Sequence, residues 1–222
     1  MTAKHPRQLT VFDLDGTLTW HDTLLPFLAG YVGRHPLKLL RLWRLPIALL
    51  RYALGARDRG VLKSRVITMV MGGDLRQDID DWTRDFVASM HGRGLFRPAA
   101  LAALATHRRG GDYLVLLSAS PDLYVPRIGT LLGFDLTVCT EIRWQGDRLE
   151  GALSSLNRHG DEKRRVLDEL RARHPELSIA AYGNSASDLP HLCVATHPLL
   201  VNGNSAARRE AAARGVPVAD WR

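Results

Sequence analysis

From Pro98 onward the chain alternates helical patterns with short apolar runs, and this alternation restricts the fold more than any other feature. "AALAALATHRR" precedes the strand-like "DYLVLLS", "YVPRIGTLLG" precedes "DLTVCT", and "DEKRRVLDELRAR" precedes "LSIAAYG". "HPLLVN" then leads to a last helix ending near Gly215. Strands joined through helices run parallel, because a tight turn cannot return the chain to the same end of a sheet. "EIRWQGDRLEGAL" interrupts the series and reads as a β-hairpin turning at Gly146-Asp147. The expected class is α/β, a Rossmann-like parallel sheet wrapped by helices with one small hairpin.

One more apolar run, "LTVFDLDGTLT" at residues 9–19, stands apart near the N-terminus. Between it and Arg97-Pro98 the patterns are helical. "YVGRHPLKLLRLWRLPIALLRYALGA" and "DLRQDIDDWTRDFVASM" repeat apolar residues at three- and four-residue spacing. Pro36 and Pro46 break the first, and the second runs from near Asp74 to the Gly92–Gly94 turn. The expected organisation is a core of residues 1–19 and 98–222 with an all-helical insertion at 20–97.

The first strand ends in Asp13 and Asp15, which alternation along extended backbone points the same way. Taken alone, the stretch fits a solvated acidic turn as well as a pair of oxygen ligands awaiting a divalent cation. The other strand ends decide between them, because a doubly wound sheet binds ligands beyond its carboxyl edge. Those ends carry Ser118-Ala119-Ser120 and Gly183-Asn184-Ser185-Ala186-Ser187-Asp188, and Lys163 opens the helix before the latter strand.

The ordered set of DxDGT, a strand ending in Ser, a Lys and GNxxxD resembles the haloacid dehalogenase (HAD) superfamily over nearly the whole chain. The insertion after the first motif resembles a C1 cap. "SASPDLYV", the hairpin followed by "LNRHGDEK", and "YGNSASDLPHL" resemble subfamily IB hydrolases of the phosphoserine phosphatase-like and phosphatidylglycerophosphate phosphatase C-like kinds. The resemblance implies a phosphatase in which Asp13 attacks phosphorus and Asp15 moves the proton. It implies that Ser118 and Lys163 hold the phosphoryl group, and that Asp13, Asp15, Asn184 and Asp188 surround Mg²⁺. Gly16, Thr17, Ala119 and Asp22 fall at the substrate. The acid at Asp15 distinguishes this pattern from a dehalogenase, which needs none, and from a P-type ATPase, which has Thr there. Asn184 replaces the usual Asp and offers a cation an uncharged oxygen. Asp22 stands where phosphoserine phosphatases carry a Glu that grips the substrate amino group, and a helix N-cap explains it equally well.

The formal charge of +7, from 26 Arg and 4 Lys against 23 acids, favours acidic partners without naming one. Arg34, Lys38, Arg41, Arg44 and Arg51 fall within about 140° on a helical projection, with Leu39, Leu42, Trp43, Leu49, Leu50 and Leu54 largely elsewhere. Residues 34–59 therefore fit an anionic membrane surface, or a packed helix with a solvated Arg face. No helix-turn-helix, zinc spacing or aromatic–basic platform points to dedicated nucleic-acid binding, and no GxxxxGK[ST] loop is present. Cys139 and Cys193 read as free buried thiols, and the N-terminus lacks an apolar signal core, so a cytoplasmic protein is expected, with peripheral membrane contact if 34–59 meets lipid. Three functions stay open: hydrolysis of a phosphorylated small molecule such as phosphoserine, hydrolysis of a lipid phosphate, and a basic binding protein that keeps the fold without turnover. The oligomeric state is not legible.

Overall fold

The computed structural model describes residues 7–44, 46, 50, 52, 53 and 58–221. Strand β1 (Gln8–Phe12) is buried on both faces, so its sequence reads as an apolar run rather than an alternation. It lies between β2 (Tyr113–Pro121) and β6 (Ser178–Gly183), parallel to both. β3 (Leu136–Thr140), β7 (His197–Val201) and β8 (Val218–Ala219) complete a sheet ordered β3-β2-β1-β6-β7-β8. The order reverses beside β1, and such a switch point opens a crevice at the carboxyl ends of the flanking strands. The hairpin is present as β4 (Ile142–Gln145) and β5 (Arg148–Leu153).

The sheet separates two apolar clusters. On one face Leu9, Val11, Val115 and Ile179 pack with Val166, Leu167 and Leu170 of α6 (Asp161–Arg173) and Ala207 of α8 (Ser205–Ala213). The other face meets Leu104 of α4 (Pro98–Gly110) and Ile128 of α5 (Val125–Leu132). The same cluster extends into α1 (Leu24–Arg34), α2 (Arg59–Met71) and α3 (Arg76–Gly92) through Phe27, Ile67 and Phe86. Each fully buried side chain of this kind contributes about 1.5–3 kcal/mol, so the inserted helices are anchored by packing. Their two connections to the core pair with each other: Trp20 N–H donates to the Leu95 carbonyl at 3.1 Å and Arg97 N–H to that of Leu18 at 2.8 Å.

Three expectations need correction. Residues 34–59 do not share one helical projection, because α1 ends at Arg34 and Pro36–Arg44 form a 3₁₀ helix. Residues of a 3₁₀ helix repeat every three positions, so a 100° projection misplaces its faces. Arg34 pairs with Asp85 at 2.7 Å, Lys38 with Asp74, and Arg41 donates to the Gly72 carbonyl at 3.1 Å. Lys38 is thus drawn onto the protein while Arg34 and Arg41 keep exposed positions, and Leu37, Leu39, Leu40 and Trp43 are exposed beside them. The Arg44 side chain, Leu49, Arg51 and Leu54 lie outside the described residues. Finally, Cys139 is buried but Cys193, at the end of the short helix α7 (Leu189–Leu192), is exposed; both are free.

Candidate active site

The chain leaves β1 through a tight loop, Leu14–Leu18, closed by Thr19 N–H on the Leu14 carbonyl at 3.0 Å. Gly16 makes the turn at φ 80°, where a side chain is strained. A Cβ there would also stand 2.1 Å from Asn184 Nδ2, so the Asn184 amide packs directly on this backbone. The loop thereby brings the ends of β1 and β6 together.

A cavity of about 410 Å³ opens at this point, lined by Asp13, Asp15, Gly16, Asp22, Ala119, Lys163, Asn184 and Asp188 among others. Asp13 is buried, with one oxygen accepting from Lys163 Nζ at 2.5 Å and the other from Thr17 Oγ1 at 2.9 Å. Lys163 also donates to Asp188 at 2.7 Å, so one ammonium bridges two buried carboxylates. The other Asp188 oxygen accepts from Asn184 N, Ser185 N and Ser185 Oγ at 3.1, 3.0 and 2.7 Å, which fixes the loop after β6. Asp15 accepts from Thr23 N–H and Oγ1 at 2.8 and 2.7 Å and from Ser120 Oγ at 2.6 Å.

Burial sets the electrostatics. It pushes the Asp13 carboxyl up to about 7, helped by Asp188 and Asp15 and opposed by Lys163. Burial and the charge of Asp22 also raise Asp15, against the hydrogen bonds from Ser120 and Thr23. For Asp188 the attraction of Lys163 outweighs burial and holds the carboxyl low. Burial would lower Lys163, but Asp13 and Asp188 together keep it a firm cation.

Of the residues expected at the site, Thr17 and Ser118 are fully buried behind the cavity wall. Thr17 acts on Asp13, and Ser118 Oγ accepts from Ser120 N–H at 3.0 Å. Asp22 lines the cavity, yet its carboxylate accepts from Leu24 and Leu25 N–H at 2.9 and 3.3 Å and so also starts α1. Sequence reasoning missed Thr23 and Ser120 as the partners of Asp15, although Ser120 lies in the quoted strand end. It also missed Arg59, Lys63, Asn157 and His159, which line the cavity from α2 and from the segment before α6.

The Asp13 carboxylate and the Asn184 amide, with Asp15 and Asp188 lining the same cavity, offer oxygen donors of the kind a hard divalent cation takes. Among the described residues no group of three or more His, Cys, Asp or Glu side chains surrounds a single metal position, so amide and main-chain oxygens would have to complete it.

Residues 10–192 match the family model for haloacid dehalogenase-like hydrolases. The chain is 34% identical over 192 residues to protein CicA of Caulobacter vibrioides, covering 86% of this chain and 84% of that protein. It is 26% identical over 225 residues to a "probable phosphatase" of Mycobacterium tuberculosis, covering 98% and 76%. Among solved structures, a Bordetella pertussis protein of unknown function superposes with a TM-score of 0.82 at 21% identity, covering 98% of this chain and all of that one. A phosphoserine phosphatase carrying an analogue of its phospho-aspartyl intermediate superposes with a TM-score of 0.66 at 13% identity, covering 98% and 94%.

Proposed function

Because the chain belongs to the haloacid dehalogenase-like hydrolases, we propose that it is a Mg²⁺-dependent phosphomonoesterase working through an aspartyl-phosphate on Asp13. The observation that carries this reading is the placement of Asp13, with Lys163 on one oxygen, Thr17 on the other, and Asp15 lining the same cavity. An Asp13 oxygen attacks phosphorus, and the bond to the leaving oxygen breaks as Asp15 gives it a proton. Burial favours the protonated form of Asp15, as an acid in this role requires. Asp15 then takes a proton from the water that hydrolyses the intermediate, which frees phosphate and restores Asp13. Lys163 offsets charge on Asp13 and on the phosphoryl oxygens.

Bound Mg²⁺ would neutralise the phosphoryl group and lessen its repulsion by the carboxylates. The residues that would hold it are Asp13 and Asn184, with Asp15 lining the same cavity and its side chain taken up by Thr23 and Ser120. Asp188, fully engaged by Lys163 and the loop amides, would act through water. Phosphate release from p-nitrophenyl phosphate with Mg²⁺ tests the assignment. Turnover that falls to background in Asp13→Asn supports it; no turnover, or turnover that survives Asp13→Asn, leaves a basic binding protein with this fold.

The first substrate reading is a small soluble organic phosphate, in the manner of phosphoserine. A second reading, a lipid phosphate met at an anionic membrane surface, is favoured by the exposure of Leu37, Leu40, Trp43 and Leu50. Arg34 and Arg41 are exposed beside these side chains, and the sequence has no acid from Thr23 to Arg57, which suits an anionic lipid surface around an inserted apolar ridge. Among the described residues no helix is long and apolar enough to cross a membrane, so the contact would be interfacial. Co-sedimentation with anionic vesicles should weaken in Leu37→Ser/Leu40→Ser. Equal sedimentation of variant and parent, or none by either, keeps the soluble substrate.

A further inference from the structure

Tyr124 is fully buried where the loop after β2 enters α5, its ring packed against Phe27 of α1 and Phe86 of α3 at centroid distances of 4.6 and 5.8 Å. Phenylalanine would fill that space equally well, so packing leaves the hydroxyl unexplained. A buried hydroxyl costs free energy unless it is hydrogen-bonded. The Tyr124 hydroxyl lies 2.9 Å from Thr23 Oγ1 and also faces the Ser120 hydroxyl. Those two hydroxyls are the side-chain donors to Asp15, the proposed acid. The loop carrying Tyr124 is held in turn by Thr83 of α3, whose Oγ1 donates to the Leu123 carbonyl at 2.9 Å.

The hydrogens available fix the direction of these bonds. Thr23 and Ser120 have one hydroxyl hydrogen each, and each spends it on Asp15. Tyr124 is then the donor to Thr23 Oγ1 rather than an acceptor from it. A hydroxyl that receives a hydrogen bond is itself a stronger donor. On Asp15 one oxygen takes both Thr23 N–H and Thr23 Oγ1, and the other takes Ser120 Oγ. A carboxylate has about four lone-pair sites, so one site is left, on the oxygen that meets Ser120. A proton destined for the leaving oxygen has to sit there.

We infer that Tyr124 is a positioning residue for proton transfer: its hydroxyl keeps the Thr23 hydrogen turned onto Asp15, which leaves the acid's proton for the leaving group. The inference rests on the phosphatase reading. Without the Tyr124 hydroxyl, Thr23 Oγ1 is free to accept from a protonated Asp15, and the proton is then held in the cavity wall. The step affected is the first one, in which the bond from Asp13 to phosphorus forms and the ester bond breaks. The ester oxygen takes the Asp15 proton as it leaves. Thr23 opens the inserted helices and Tyr124 follows β2, so their bond also ties the acid's orientation to the seat of those helices on the sheet.

The test compares two esters of similar shape whose leaving groups differ in their need for a proton. p-Nitrophenolate departs unprotonated, whereas phenolate, as basic as a tyrosine side chain of pKa about 10, needs the acid. The measure is kcat/KM, which ends at the step that expels the phenol and so does not register the later hydrolysis. In Tyr124→Phe, kcat/KM for p-nitrophenyl phosphate should stay within about threefold of the parent. That for phenyl phosphate should fall about tenfold further, as the loss of one hydrogen bond supplies, with KM little changed. An unchanged ratio between the esters overturns the inference. So does an equal loss on both, which is the result a merely structural tyrosine gives.

Thr23→Val supplies a second readout that does not depend on the tyrosine variant. It removes the hydroxyl through which Tyr124 acts and keeps the Thr23 main-chain N–H on Asp15. Its ratio between the esters should widen at least as far as that of Tyr124→Phe. The double variant should widen it no more than about twofold beyond Thr23→Val, because two groups on one chain of hydrogen bonds are not additive. A double variant showing the full product of the single effects overturns the chain from Tyr124 through Thr23 to Asp15. A parent that turns over both esters with the ratio unmoved in either variant refutes the positioning role alone; a parent that hydrolyses neither removes the phosphatase reading as well.

Discussion

Replacing Lys163 with Met tests the central geometry without any substrate. The side chain keeps its length and loses the ammonium that stands 2.5 Å from Asp13 and 2.7 Å from Asp188, all three being buried. Two carboxylates are left facing each other in a dry site. Removing one partner of a buried ion pair costs about 3–5 kcal/mol, a large share of the roughly 5–15 kcal/mol that holds a domain folded. Asp13→Asn makes the opposite change, because it leaves Lys163 paired with Asp188 and removes the carboxylate that burial disfavours. Burial raises the Asp13 carboxyl from 3.8 to about 7, so the parent is more stable with this group protonated. Its folded value lies above the unfolded one, so the stabilisation is complete below about pH 3.8 and is lost as pH rises through about 7. Urea melts followed by circular dichroism in EDTA should thus show Lys163→Met destabilised by about 3–5 kcal/mol at pH 7.5. Asp13→Asn should be as stable as the parent or more so there, its advantage shrinking toward pH 4. Excess Mg²⁺ should restore Lys163→Met more than the parent, because the cation replaces the missing charge. A loss below about 1 kcal/mol in Lys163→Met, or parallel pH curves for Asp13→Asn and parent, would refute the shared-ammonium account.

Two further outcomes follow from the same site. Asn184→Asp adds a charged oxygen beside Gly16 and should tighten Mg²⁺ about tenfold by calorimetry on EDTA-stripped protein; equal affinity in both forms rules out Asn184 as a ligand. His191 is fully buried, neither ring nitrogen has a partner among the described residues, and burial lowers it to about 3 despite Asp188. Its folded value lies below the unfolded 6.5, so the stability it contributes is present above pH 6.5 and is lost as pH falls toward 3. His191→Leu should reduce the loss of stability between pH 7 and pH 5 by about 2 kcal/mol relative to the parent, and unchanged acid sensitivity would show that the ring is solvated.

How far the sequence could be read depended on the range of the interactions involved. β1 and Asp13 were legible because a doubly buried strand has a local apolar signature and the turn after it needs Gly16. The hairpin was legible for the same reason, its Gly146-Asp147 turn being a local requirement. Thr23 and Ser120 were not, because small hydroxyl residues have many uses and only the folded loop brings both to Asp15. The basic stripe failed in a more instructive way. A helical projection at 100° assumes that charges face water, yet Lys38 finds Asp74 and Arg34 finds Asp85 across long stretches of sequence. With Lys38 and Arg34 drawn to distant acids, Leu37, Leu39 and Leu40 stand exposed beside Arg34 and Arg41, so the segment shows one mixed face in place of separate basic and apolar ones. Lys63 shows the converse, a cation carried to a partly buried place where it bonds neutral oxygens and Asp15 and Asp22 act on it through space. Periodicity put it on a helix, but only packing against the sheet decided that this face of α2 would close over Asp13. A surface helix and a cavity-lining helix therefore share one pattern, and only their packing tells them apart.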